Sequence, residues 1–374
     1  MKTMKTMKTM KTMKTIKKMK TMKTMKTMNI FKTLILTSVI LTSCTKDNLD
    51  STNYDGLYND GYFVTNEGNF NTGNGSISFV DEYGVVENDV FASNNSFVLG
   101  DVVQSMTIIN DNAYIVVNNS NKIEIASVDS MNYVGTIEVG FPRYIKQVSD
   151  DKAYITSWGT GFGSEVKVLD LNTNTIVNTI ICGVGPEAIE VSNGYAYVCN
   201  IGGYSVNNTI SIIDVSSDMV ITTLELSDKP NSVVVDVDEN IWVLTKGTTE
   251  YDENWNTVAV SPGSLYKINN NVVVQEFTFP LGDYASNLVI NNSGNVLYYS
   301  CAGAVFSLEV NSSELNIDPI INKSFYGLGF NDNYIYGASA PSFTQSGLSY
   351  RYTTNGIVVD SVNVGIGPNG YCFN

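Results

Sequence analysis

The residues of this chain best suited to holding another molecule are aromatic and sit in polar, glycine-rich stretches. They are Phe70, Trp158, Phe162, Tyr204, Tyr251, Trp255 and Phe343, with Arg143, Tyr144, Glu187, Lys229, Tyr284 and Tyr326 in turns near them. Aromatic rings supply flat contact area at low entropic cost, and the surrounding Asn, Ser, Gly and Thr supply adaptable hydrogen bonds. Arg143 and Glu187 add charged ones. This is the chemistry of capture. Taken singly, any of these rings could instead pack its own loop; taken together, they point to a binding face.

The chemistry of catalysis is thinly supplied. The sequence contains no His, which removes imidazole bases, Ser-His-Asp triads and the commonest transition-metal ligand. Besides Cys44, the cysteines are Cys182, Cys199, Cys301 and Cys372, widely separated and without a CxxC pair, so a zinc site is not expected. Cys182 and Cys199 could be joined by a disulfide, or they could serve, like the others, as small buried hydrophobes. The run Asp236-Val237-Asp238-Glu239-Asn240 invites a calcium reading. It lacks the length and glycine of an EF-hand, however, and occupies the same place as Asn110-Asp111-Asn112 and Asn331-Asp332-Asn333, so it reads as a hairpin turn. No catalytic residue, metal or cofactor is expected, and the function class is a binding protein rather than an enzyme.

What positions the aromatic residues is a repeat. Residues 183–226 hold four short runs rich in β-branched and aromatic residues, at 188–191, 195–200, 209–215 and 219–226. Turn residues separate them: Ser192-Asn193-Gly194, Gly202-Gly203 and Ser216-Ser217-Asp218. That is one four-stranded antiparallel meander. Its second strand recurs as GYFVTN at 61, NAYIVV at 112, KAYITS at 152, NIWVLT at 240, NVLYYS at 295 and NYIYGA at 333, which with YAYVCN at 195 makes seven copies. Seven copies at roughly 40- to 55-residue spacing predict an all-β, seven-bladed β-propeller of four-stranded blades. The first copy opens on a second strand, and the chain ends on GPNGYCF, a first strand with nothing after it. The C-terminal strand should therefore complete the N-terminal blade, close the ring and remove its open edges.

The blades resemble the YVTN-type, YncE-like propeller repeat, of pattern VGxxP…YVTN…VSVIDT, most clearly at residues 183–186, 62–66 and 210–215. The resemblance spans 58–374 and is specific for fold and weak for function. In such a fold the second-to-third-strand loops and the blade-to-blade turns share one face. The loops here are uneven, and the longest, residues 246–263, far exceeds what a repeat needs.

Residues 1–27 are near-perfect Met-Lys-Thr triplets, either a basic tail or sequence ahead of the true start at Met28. Residues 28–43 read as a secretion signal, with Lys32 followed by an apolar run too short to span a bilayer. It ends in Leu41-Thr42-Ser43-Cys44, which resembles the bacterial lipoprotein box and would make Cys44 the acylated first residue; an ordinary cleaved signal is the alternative. Residues 44–60 read as a tether and 61–374 as the propeller. All 37 acidic residues but only 11 of the 22 basic ones follow Cys44, a formal charge of −26 for that part. Such a surface excludes nucleic acid and leaves the acyl chain as the only membrane contact.

Anchor and fold together resemble Bacteroidetes surface lipoproteins of the DUF5074 and cobalamin-capture propeller type. The resemblance implies an outer-membrane, cell-surface monomer that captures a small molecule for a TonB-dependent transporter. The other reading is a protein-interaction scaffold using the same face or the blade rims.

Overall fold

The second strand of each repeat is apolar nearly throughout rather than alternating, the pattern of a strand covered on both faces. The computed structural model, which describes residues 57–374, shows the cause. Each such strand lies inside its sheet, and each sheet is sandwiched between its two neighbours. Tyr195–Asn200 is buried at five of six positions, while the outer strand of the same blade, Met219–Glu225, alternates exposed and half-buried.

The described residues form a seven-bladed propeller built almost entirely of antiparallel β-structure. In the blade at 183–226, the inner strand is Pro186–Ser192, followed outward by Tyr195–Asn200, Thr209–Asp214 and Met219–Glu225. Blade one is completed by the C-terminal strand Pro368–Phe373, which pairs antiparallel with Gly61–Asn66, Tyr62 opposite Phe373. The ring is closed as the chain ends predict. Blade six departs from the four-stranded plan. Its sheet has three strands, Ser286–Ile290, Val296–Cys301 and Ala304–Glu309, and a single bridge from Val305 to Ile321 stands where an outer strand would run.

The repeat motif has a physical basis. Asn66 and Asn200, closing the second strands of blades one and four, are fully buried, and each donates through Nδ2 to a serine of the adjacent third strand: Ser78 at 3.0 Å and Ser211 at 2.9 Å. Buried side-chain amides need such partners, so the Asn of one motif and the Ser of the next are selected together. Asp236 likewise organises the first turn of blade five. Its carboxylate accepts from the Asn240 backbone at 2.8 Å and from Trp242 Nε1 at 2.9 Å, which confirms the turn reading of that acidic run.

Two boundaries differ from expectation. Tyr58, placed by the sequence in the tether, is buried, with its ring 5.0 Å from that of Phe79, and its carbonyl accepts from Asn374 Nδ2 at 2.7 Å. The compact unit therefore starts before Gly61. Between blades one and two, a short helix, Val90–Asn94, buries Val90 and Phe91 in blade one's core, a feature too brief to leave a periodic signal. The Met-Lys-Thr triplets, the signal segment and Cys44 lie outside the described residues. Cys182, Cys199, Cys301 and Cys372 are free thiols, with no Cys182–Cys199 bond.

Candidate functional site

Inner strands converge on a central channel of about 280 Å³, lined by residues from all seven blades, among them Gln104, Tyr144, Asn231, Asn287 and Asn369. The strands open on a proline in blades one, three, four and five. The next residue in each, Asn369, Arg143, Glu187 and Asn231, sits at one level around the ring. Arg143, Tyr144 and Glu187 are thus strand residues and not turn residues as the sequence suggested. Arg143 and Glu187 face each other across the seam between blades three and four, Nε to Oε2 at 2.8 Å and Nη2 to Oε1 at 2.7 Å, both largely buried. Lower on the same strands, Lys146 pairs with Glu190 at 2.6 Å. Paired bidentately, Arg143 and Glu187 orient one another and leave little net charge for a ligand.

Glu67 belongs to this ring as well. Burial raises its pKa, while Asn369 Nδ2 at 3.1 Å and the Tyr326 hydroxyl at 3.1 Å hydrogen-bond to it. Burial, with the negative charge of Glu187 nearby, pushes the Tyr144 hydroxyl up to about 12, so it is a neutral hydrogen-bonding group at physiological pH. Tyr326 packs its ring 5.4 Å from that of Phe343.

Directly above the Arg143–Glu187 pair lies an aromatic patch. The Arg143 guanidinium stacks 4.1 Å from the Trp158 ring centroid. Tyr204, from the blade-four loop, meets Trp158 edge-on at 5.9 Å, Phe162 at 5.8 Å and Phe141 at 6.2 Å. The approach requires Gly161, at φ +102, because a Cβ there would sit 2.2 Å from the Tyr204 ring. Phe162 and Tyr204 remain 60% and 61% exposed. Trp158 Nε1 is buried without a hydrogen-bond partner. An unpaired buried donor is costly.

Tyr251 and Trp255 are elsewhere. The 246–263 loop folds as a hairpin of Thr248–Tyr251 and Thr257–Ser261, with Trp255 at its tip, 83% exposed and touching the Tyr251 ring at 6.1 Å. Tyr284 hydrogen-bonds Thr249 at the base of the hairpin. Phe343 lies with Tyr326 on the blade-seven side, and Phe70 is exposed on the blade-one loop. The upper face therefore carries one aromatic patch at blades three and four, beside a separate aromatic hairpin on blade five.

Sequence reasoning missed Phe141, Glu67 and the amides Gln104, Asn231, Asn287 and Asn369. The signal was present in part: Asn231 and Asn369 follow strand-opening prolines exactly as Arg143 and Glu187 do, but only the charged members drew notice.

A family model described as a domain of unknown function, DUF5074, matches residues 60–367. The chain belongs to the DUF5074 family. No curated protein matches it. Solved structures resemble this DUF5074 propeller in fold. A quinonprotein alcohol dehydrogenase-like protein from Bacteroides thetaiotaomicron is 16% identical, with a TM-score of 0.62, covering 85% of this chain and 79% of that one. The periplasmic gluconolactonase of Pseudomonas aeruginosa is 10% identical, with a TM-score of 0.60, covering 83% of this chain and 98% of the enzyme. At such identities the likeness is one of architecture.

Proposed function

We propose that this DUF5074 propeller is an exported, lipid-anchored binding protein that captures a small-molecule nutrient of the cobalamin class on its loop face and presents it to an outer-membrane transporter. The observation that carries capture is the Trp158–Phe162–Tyr204 patch. It combines exposed rings, a buried indole N–H without a partner, and an amide-rich channel mouth below. Planar surface and unspent hydrogen-bonding capacity suit a large conjugated ring bearing amides. Anchoring rests on the Leu41-Thr42-Ser43-Cys44 box, and the absence of His supports binding without catalysis.

The test is titration of residues 45–374 with cyanocobalamin, followed by intrinsic fluorescence. Binding should weaken about thirtyfold in Phe162→Ala or Tyr204→Ala, the effect of losing an aromatic anchor worth ~2 kcal/mol. Unchanged affinity in both variants moves the site off this patch, and no binding by the parent protein removes cobalamin as the ligand. A protein scaffold is the second reading. It is favoured by the blade-five hairpin, whose Tyr251, Trp255 and Val258 are 54%, 83% and 61% exposed.

A further inference from the structure

The described residues include ten lysines and arginines. Seven form ion pairs with carboxylates: Lys122, Arg143, Lys146, Lys152, Lys167, Lys267 and Arg351. In so acidic a chain this is the expected outcome, since carboxylates greatly outnumber cations. Of the three others, Lys323 sits alone, 4.6 Å from the Tyr350 ring centroid and apart from any other unpaired cation. That leaves Lys229 and Lys246, and both line one groove of about 320 Å³ between the blade-four loop and the blade-five hairpin.

Three features set this pair apart. The Lys246 N–H donates to the Lys229 carbonyl at 3.0 Å, so two ammonium-bearing residues spring from hydrogen-bonded backbone positions. Lys229 also adopts φ +58, in the turn position before Pro230 where blades four and one place Gly185 and Gly367, at φ +67 and +63. Blade three places Phe141 there, at φ +41, so the left-handed turn belongs to the repeat, and a side chain in it costs some stability relative to glycine. Finally, neither ammonium has a carboxylate partner among the described residues. Asp228, next in the chain, is already engaged, accepting from Thr248 Oγ1 at 3.0 Å and from Ser261. Glu250 lines the groove but pairs with neither lysine.

The groove walls say what the two ammoniums could bind. Tyr251 and Tyr284 present half-exposed rings, the latter 5.8 Å from the Lys246 ammonium. We propose that Lys229 and Lys246 form an oxyanion-binding site, which takes the carboxylate or phosphate of an organic molecule whose aromatic or apolar body lies against Tyr251 and Tyr284. A single anionic group in the groove would accept a charge-assisted hydrogen bond from each ammonium. The site does not rest on capture at the Trp158 patch, from which its residues are distinct.

The experiment uses residues 45–374 and three probes in low-salt buffer: phenyl phosphate, benzoate and the neutral benzyl alcohol, followed by calorimetry. At least one of the two anions should bind, and 0.5 M salt should weaken it. Their relative affinities tell phosphate from carboxylate. Lys246→Ala should reduce affinity at least tenfold, and Lys323→Ala should leave it unchanged. Lys229→Gly gives effects of opposite sign: binding falls at least tenfold while the melting temperature rises, because glycine relieves the left-handed strain. The proposal is overturned if neither anion binds, if benzyl alcohol binds as tightly, if Lys323→Ala weakens binding equally, or if the Lys229 and Lys246 variants bind normally.

Discussion

Blades five and six make the same connection in opposite ways. Between its second and third strands, blade six needs only Ala302 and Gly303, the latter at φ +80. Blade five spends residues 246–263 there and builds a second, two-stranded sheet. Each flanks a well-packed second strand, Ile241–Thr245 in one and Val296–Cys301 in the other, so packing did not demand the difference. The comparison separates two kinds of sequence in one repeat. Sheet residues are fixed by what lies on either side of them, and loop residues beyond the minimal turn are free to carry another task. The same division marks blades three and four, whose loops bear the Trp158 patch.

Breaking the sheet part should have the largest effect. Deleting residues 367–374 removes the strand that pairs with Gly61–Asn66 and with it Tyr371, Cys372 and Phe373 from two cores. Loss of a single cooperative thermal transition by circular dichroism is expected, since Gly61–Asn66 would then present an open edge and both cores would lose packing. Retention of that transition would mean the ring does not depend on its closure.

A smaller effect is expected at the junction of sheet and site. Arg143→Ala strands the Glu187 carboxylate in a position where it is 6% exposed. Removing one member of a buried pair should destabilise the fold by about 3 kcal/mol, read as a lower urea midpoint at unchanged slope. Arg143→Ala combined with Glu187→Ala should recover part of that loss. If the single variant is neutral, the pair is solvated and the channel mouth is wetter than its geometry implies.

How much of this was legible in the sequence follows the same line. Seven copies of one strand motif, a terminal strand without partners and turn residues between the runs specified the propeller and its closure. They did so because every sheet residue answers to a neighbour of fixed type, as Asn200 answers to Ser211. Blade six's missing outer strand was not legible, since residues 310–326 lack strand patterning but could not show that nothing else would fill the position. The Arg143–Glu187 pair spans 44 residues and exists only because blades three and four abut, so it could be read as two candidate residues and not as one unit. Trp158 and Trp255 looked alike in the sequence. In the folded chain one is clamped by Arg143 and Tyr204, and the other stands free on a hairpin.

That last contrast sets the smallest effect. Replacing residues 246–263 with an Asn-Gly turn would give blade five the two-residue connection blade six already has, and Asn-Gly is the favoured pair for a two-residue hairpin. Thr257, Val258, Ala259 and Val260 are exposed, and little apolar surface would be lost from the core. Shortening the loop also lowers its closure entropy slightly. The hydrogen bonds of Thr248 and Ser261 to Asp228 would be lost with the loop, so a destabilisation of about 1–2 kcal/mol is expected. Function should divide more sharply: aromatic oxyanion binding in the Lys229–Lys246 groove should disappear with Lys246 and Tyr251, while affinity at the Trp158 patch should stay within about twofold, as expected for sites without shared partners. A marked loss of stability would show that the hairpin braces blade five. Loss of binding at both sites would show that the upper face works as one surface, and the division drawn between blades five and six would then hold for folding alone.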